Sequence, residues 1–141
     1  MAATTDDIKE EQGSFTQLAF VWFLRLMAAI SMISGLSYWA QLTGLAAADL
    51  PRFDELPVHW QVPWVSLAVL LPCASMGLWM LTSWGIVLWV IASVLEIALY
   101  GVWADSYISR PAVVFGHVIA LLALAAILAS LALQRYRERV N

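Results

Sequence analysis

Glu96 is an acid in the middle of a long apolar stretch, residues 84–104. As a helix that rises about 1.5 Å per residue, this stretch is about as long as the hydrocarbon core of a bilayer is thick. An ionisable group at that depth costs at least about 2.5 kcal/mol on insertion scales. Glu96 must therefore face a partner, a cavity or another subunit, where its carboxyl group could bind a polar ligand or carry a proton.

Polar and aromatic residues recur around Glu96 at steps of three or four: Trp89, Ser93, Tyr100 and Trp103. Residues at this spacing share one face of a helix. The face is either an aromatic surface that packs against other helices or the wall of a pocket or proton path. The sequence leaves both interpretations open.

His117 and Arg25 are the candidate partners of Glu96. By counting residues, Glu96 lies about 8 residues and His117 about 6 residues from the same end of two consecutive helices, so they fall at nearly the same depth. This predicts a hydrogen bond or an ion pair between them, and burial lets a neutral pair compete with the charged one. Arg25 lies about 7–8 Å lower, and either reaches Glu96 or extends its guanidinium group to the lipid headgroups.

Arg25, Glu96, Tyr100 and His117 form the candidate intramembrane polar cluster. It is either a clasp that fixes the register of the helices, or a proton relay or ligand site. No nucleotide loop, serine elbow, CxxC or HExxH motif accompanies it, so the sequence predicts no catalytic residue and no metal site. These absences argue against a self-sufficient enzyme and leave a subunit of one open.

Composition places the chain in a membrane. It is 62% hydrophobic and 12% charged, against about 45–50% and 25% in soluble domains. The basic residues are few and scattered, which excludes nucleic acid as a partner. The single cysteine, Cys73, cannot form an intramolecular disulfide and is expected to pack as a small buried residue.

Four apolar segments predict an all-α, polytopic four-helix bundle. The predicted spans are residues 17–42, 62–82, 84–104 and 112–133, with a polar outer loop at 43–61. A polar, acidic tail without a fold is expected at residues 1–16, and a basic tail at 135–141. Residues 17–134 form the transmembrane domain.

The flanking charges predict the orientation. Lys9, Arg135, Arg137 and Arg139 lie on the side of both termini, against Arg52 and Arg110 on the other side. Positive residues favour the cytoplasm, so both termini are expected there. Trp39, Trp60, Trp64 and Trp103 are expected in an outer aromatic belt, and Trp22, Trp79 and Trp84 in an inner one.

The first span, FLRLMAAISMISGLSYWAQLTG, resembles the first helix of the DoxX-like family of small bacterial membrane proteins. In that helix an arginine precedes a run of small and apolar residues that ends in a glycine, and Arg25 and Gly35 match these two positions. The whole chain also resembles a group of uncharacterised four-span inner-membrane proteins of alphaproteobacteria. The resemblance implies a four-helix bundle in the bacterial inner membrane, and some DoxX-like proteins are associated with quinone-linked oxidation of sulfur compounds.

Three functions are compatible with these features. The first is a non-enzymatic accessory or scaffold component of a larger membrane complex, which needs no cofactor. The second is a quinone-linked redox accessory subunit, with Glu96, Tyr100 and His117 as polar contacts. The third is a small transporter or proton conductor that uses Glu96. Apart from the lipid bilayer, the expected partner is a membrane complex or a second copy of the chain.

Overall fold

Four long helices make up the described part of the chain. The computed structural model describes residues 5–45, 52–103 and 110–140, with side chains from residue 15 onward except that of residue 138. The helices are α1 (Thr5–Leu42), α2 (Val58–Trp79), α3 (Ser83–Ile97) and α4 (Pro111–Val140). Each helix contains a stretch long and apolar enough to cross a membrane. For α3 this stretch continues past the helix to Val102. The prediction of an all-α protein with four helices long and apolar enough to span a membrane is confirmed.

Successive helices run antiparallel. A turn of three residues, 80–82, separates α2 from α3, and we call this end of the bundle the turn end. The opposite end, the loop end, holds a short 3₁₀ turn (Phe53–Glu55) and the start of α4 at Pro111. The side chain of Gln134 donates to the Thr16 hydroxyl over 3.1 Å, so α1 starts and α4 finishes at the turn end.

The first two helices approach each other closely at Gly35. A Cβ atom on Gly35 would lie 2.6 Å from Cδ of Pro72, so only glycine leaves room for the proline ring. One turn after Pro72, the Ser75 hydroxyl donates to the carbonyl of Ala28 over 2.7 Å. Small residues thus bring α1 and α2 together as expected for helices that pack in a bilayer.

Glycines also set the contact between α2 and α3. A Cβ atom on Gly85 would lie 2.2 Å from the carbonyl carbon of Gly77, and one on Gly77 would lie 2.5 Å from Cα of Gly85. The two backbones therefore touch just beyond the turn, which holds the two helices as a rigid hairpin.

The last helix is the least embedded element. Of its described residues only Leu124 is counted in the buried core. The core divides into a cluster at the loop end around Trp60, Trp64 and Tyr100 and a smaller one at the turn end around Leu24 and Trp89. The face of α4 that turns away from the bundle is free to meet lipid or protein.

Several boundaries differ from the predicted ones. α1 begins at Thr5, so the described part of the predicted tail 1–16 is helical, and α4 continues to Val140 through the predicted tail 135–141. A helix that is already nucleated extends at little cost through residues that lack proline. α2 occupies Val58–Trp79 instead of 62–82, since Pro57 at its N-cap starts the helix within the predicted loop 43–61. Residues 46–51 of that loop and residue 104, the predicted end of the third span, lie outside the described residues.

Two tryptophans do not belong to the predicted outer belt. Trp60 and Trp64 are 0% and 1% exposed and pack with Leu56 in the loop-end core. Phe53, Leu56, Tyr38 and Tyr100 belong to or pack against the same cluster, and this buries side chains that a simple count of helix positions places at the membrane surface.

Candidate functional site

The carboxyl group of Glu96 is paired with His117. Glu96 lies near the end of α3 and is 3% exposed, and His117 is placed by the second turn of α4. Oε2 of Glu96 and Nε2 of His117 are 2.7 Å apart. The structure thus brings together the two side chains for which the sequence predicts a common depth.

This pair shares one proton. Nδ1 of His117 lies 2.9 Å from the carbonyl oxygen of Val113, which can only accept, so Nδ1 carries a hydrogen. The close approach of Nε2 and Oε2, 2.7 Å, requires one more hydrogen between them, which resides either on the acid or on the imidazole. The pair is electrically neutral in both forms, which makes its place inside an apolar bundle tolerable.

Two tyrosines extend this pair into a chain of hydrogen bonds. The hydroxyl of Tyr38, on α1, donates to Oε1 of Glu96 over 2.8 Å. Its oxygen lies 2.9 Å from the Tyr100 hydroxyl, and because the Tyr38 hydrogen is already used, Tyr100 is the donor of that bond. Side chains from α1, α3 and α4 are thereby tied to one carboxyl group.

Tyr100, the last member of these hydrogen bonds, lies where the α-helix changes into a π-helix. α3 passes at Ala98 into a single π turn (Ala98–Val102), which includes Tyr100. The N–H group of Trp103 donates to the carbonyl of Ala98 over 3.2 Å, a span of five residues. Such turns occur often at functional sites, since the inserted residue changes where the neighbouring side chains point.

A cavity of about 290 Å³ lies beside the pair, between α1, α3 and α4. Toward the loop end its wall is polar, and it carries Tyr38, three serines of α1, Glu96, His117 and Arg110. Toward the turn end it is apolar, with Met27, Trp89 and Ala120. A ligand in this cavity would have its polar group toward the loop end.

The cavity opens on the flank of the bundle. Ile30 and Ser37 of α1 and Ala112 and Gly116 of α4 line it and are themselves exposed. These residues lie within the apolar stretches of the two helices. The opening therefore faces the bilayer, and a Cβ atom on Gly116 would find no other atom within 4 Å.

Arg110 closes the loop end of the cavity. Its guanidinium carbon lies 5.8 Å from the centre of the Tyr100 ring, a distance typical of a cation over an aromatic face. The carbonyl of Arg110 accepts the first backbone hydrogen bond of α4, from Val113. Pro111 follows it at the first helical position, where proline is favoured.

Arg25 lies apart from the other three members of the predicted cluster. It is exposed, and its guanidinium carbon is 5.7 Å from the ring centre of Trp79, near the turn end. His117 lies 2.7 Å from Oε2 of Glu96 and Tyr38 donates to Oε1, so both carboxyl oxygens have a close polar neighbour other than Arg25.

Tyr38 is the site residue that sequence reasoning missed. A signal for it exists, because Ser31, Ser34 and Tyr38 are spaced as one face of α1. Among the described side chains, no three of His, Cys, Asp or Glu come together as a metal site would need. The site is a row of polar contacts beside a cavity, formed by Tyr100, Tyr38, Glu96 and His117. We call these four residues the relay.

The profile of one protein family, described as a family of unknown function (DUF6163), matches residues 18–135. The chain belongs to this family. The matched range includes every residue of the relay and most of the four helices. No curated protein and no solved structure matches the chain significantly. The four apolar helices indicate a multi-pass membrane protein, and the resemblance to DoxX-like proteins stays a prediction.

Proposed function

We propose that the protein is an accessory component of a membrane complex in the bacterial inner membrane, and that it binds the head group of a quinone in the cavity. The observation that carries this proposal is the neutral Glu96–His117 pair in the wall of a cavity that opens toward lipid. Quinones dissolve in the bilayer, so a flank opening between α1 and α4 gives them direct access.

The proton shared by Glu96 and His117 suits a quinone. A quinone carbonyl accepts hydrogen bonds, whereas the hydroxyl group of the reduced form also donates them. The Glu96–His117 pair can serve either state, because its proton resides on Oε2 or on Nε2. Arg110 and the serine hydroxyls of α1 supply further donors in the same wall.

The size of the cavity supports a single ring. Its volume of about 290 Å³ is near the lower limit for small-molecule pockets, about 300–1,000 Å³. A head group of one ring with small substituents suits this space, with its apolar tail in the bilayer. The polar wall at the loop end would orient the ring.

The accessory role and the orientation are supported by different features. Few residues of α4 are buried within the described structure, so a larger complex has a helix to pack on. More basic residues flank the spans at the termini than at the loop end, which favours both termini in the cytoplasm. The resemblance of α1 to DoxX-like proteins agrees with the quinone-linked role.

Substitution of Gly116 tests the proposal at the opening. Gly116→Leu places a side chain in open space at the mouth of the cavity, so it is expected to preserve folding and to abolish binding of a short-tailed quinone. Gly116→Ala, which fills little of the mouth, and Ala126→Leu, on the exposed face of α4, are the controls. Binding is followed through quenching of tryptophan fluorescence, since Trp89 lines the cavity.

Glu96→Gln tests the polar contact. Glutamine can accept from Tyr38 and donate to Nε2 of His117, so the fold is kept while the shared proton is lost. Loss of one such contact is expected to weaken quinone binding about tenfold. Unchanged binding in both Gly116→Leu and Glu96→Gln would show that the ligand, if any, sits elsewhere.

The relay itself favours a second candidate function, proton conduction or proton-linked transport. Four groups stand in series: hydrogen bonds of 2.9 and 2.8 Å join Tyr100 to Tyr38 and Tyr38 to Glu96, and a 2.7 Å contact joins Glu96 to His117. Purified protein in vesicles would then conduct protons, and Glu96→Gln and Tyr38→Phe would each stop the flux. Vesicles no leakier than protein-free ones would rule this candidate out.

A further inference from the structure

A second groove lies between α1 and α2 near the turn end, away from the relay. Its volume is about 370 Å³, and its walls are formed by Ala28, Ala29 and Met32 of α1, by Met76 and Trp79 of α2 and by Met80 of the following turn. We call it the turn-end groove. It shares no lining residue with the cavity beside Glu96.

The walls of the turn-end groove are largely apolar. Their polar side-chain groups are the indole N–H of Trp79 and the hydroxyl of Ser75, and the Ser75 hydroxyl is already bonded to the carbonyl of Ala28. The three methionines are unbranched and adapt to irregular apolar shapes. The groove therefore suits a flexible hydrocarbon chain better than a compact polar molecule.

A positive charge stands at one end of this groove. Arg25 is exposed, and none of the ion pairs formed by the described side chains includes it. Its guanidinium group is held over the ring of Trp79 at 5.7 Å. Arg25 precedes Ala28 and Ala29 on α1 by about one turn, so the charge lies at the mouth of the groove.

In a bilayer crossed by the four apolar helices, this mouth would lie near the headgroups of one leaflet. Trp79 is the last residue of α2, and the chain turns back immediately after it. From Arg25 the groove extends along α1 toward Met32, which lies deeper in the bundle. A cation at the surface and an apolar channel below it match the two parts of an anionic phospholipid.

We propose that the turn-end groove binds one acyl chain of an anionic phospholipid, whose phosphate pairs with Arg25. A guanidinium group binds phosphate oxygens in a bidentate manner. A lipid with net negative charge is favoured over a zwitterionic one, because no carboxylate of the described side chains neutralises Arg25. The site is independent of the proposed quinone cavity.

The test compares lipids on the delipidated, detergent-solubilised full chain. Native mass spectrometry would count phosphatidylglycerol and phosphatidylcholine bound from an equal mixture. Wild type is expected to retain the anionic lipid preferentially. Arg25→Gln is expected to reduce that preference about fivefold, the effect of one basic residue near a charged membrane surface, and Arg25→Lys to keep most of it.

Arg52 provides the matched control, because it is an exposed arginine at the loop end that pairs with Asp54. Arg52→Gln should leave the lipid preference unchanged. Ala29→Phe, which fills the groove, should remove the tightly bound lipid, whereas Ala125→Phe on the exposed face of α4 should not. Equal retention of both lipids by wild type, or an Arg25→Gln variant with the wild-type preference, would overturn the proposal.

Discussion

Trp39 supplies the hydrogen bond that Pro72 takes away. Proline has no N–H group, so the carbonyl of the residue four positions earlier, Ala68, loses its helical donor. The indole Nε1 of Trp39 donates to that carbonyl over 2.9 Å. Trp39 therefore lies at the loop end for a bonding reason as well as for the interfacial preference of its ring.

A double-mutant cycle tests this compensation. Trp39→Phe should lower the free energy of unfolding by about 1 kcal/mol, the usual effect of one lost hydrogen bond. In a Pro72→Ala background the helix supplies its own N–H group, so the same substitution should have a smaller effect. Denaturation in mixed detergent measures all four proteins, and equal effects in both backgrounds would contradict the explanation.

Tyr38 is expected to be the most sensitive single contact of the relay. Tyr38→Phe keeps the ring but leaves Oε1 of Glu96 and the Tyr100 hydroxyl without a partner, which should reduce stability by about 1–3 kcal/mol. Tyr136→Phe removes a hydroxyl from a residue that is 67% exposed and serves as the control. Similar thermal stability of the two variants would mean that the bond is weak.

These residues also show how far the sequence could predict the site. Depth along a helix follows from counting, so the meeting of Glu96 and His117 was predictable. Which of several polar residues rotates toward the carboxyl group depends on the packing of three helices, so counting gave no preference for Tyr38 over Arg25. The burial of Trp60 depends on how the preceding segment folds, which composition does not encode.

At the scale of elements, α1 and α2 both end with a residue in the left-handed conformation, which is a glycine after α1 and a leucine after α2. After α1, Gly44 has a φ of 74°, and the N–H group of Leu45 bonds to the carbonyl of Ala40. After α2, Leu81 has a φ of 58°, and the N–H group of Thr82 bonds to the carbonyl of Gly77. Glycine is the residue that adopts this left-handed conformation without strain.

Leu81→Gly should accordingly stabilise the hairpin of α2 and α3. A left-handed conformation costs a residue with a Cβ atom about 1–2 kcal/mol, which glycine avoids. Gly44→Ala should shift stability in the opposite direction. Thermal unfolding in detergent would compare both with wild type, and a lower midpoint for Leu81→Gly would show that the contacts of the leucine side chain outweigh the strain.

Element boundaries were the least predictable feature. Hydropathy gave the number of helices, because each apolar segment must cross the bilayer. It could not give the helical extensions at Thr5 and Val140, since a polar helix is compatible with water and carries no hydropathy signal. The π turn after Ile97 likewise leaves no mark in the apolar pattern.

At the scale of the whole molecule, the proposed orientation can be measured with cysteines. In a Cys73→Ser background, Leu45→Cys lies at the loop end and Tyr136→Cys at the turn end, both at exposed positions. A membrane-impermeant maleimide added to intact cells or spheroplasts should label the Leu45→Cys variant alone. The Tyr136→Cys variant should react only after the membrane is opened.

Wild-type protein is the control for this labelling. Cys73 is exposed and not buried as the sequence predicts, because it lies on the outer face of α2. It is still inside the apolar stretch of that helix, where lipid should keep the reagent out. The reverse pattern for the two introduced cysteines would invert the orientation. Labelling of both from one side would contradict the three crossings that α2, α3 and α4 make between the two positions.

The position of His117 on the last helix determines when the acid of α3 finds its partner. During synthesis, α1 to α3 leave the ribosome before α4. In that interval Glu96 can bond to Tyr38 of α1, but His117 has not yet been made. The arrival of α4 then neutralises the acid and builds the second wall of the cavity in a single step. A molecule already dissolved in the lipid beside α1 could be enclosed at that moment, so the protein could acquire its ligand as it is made.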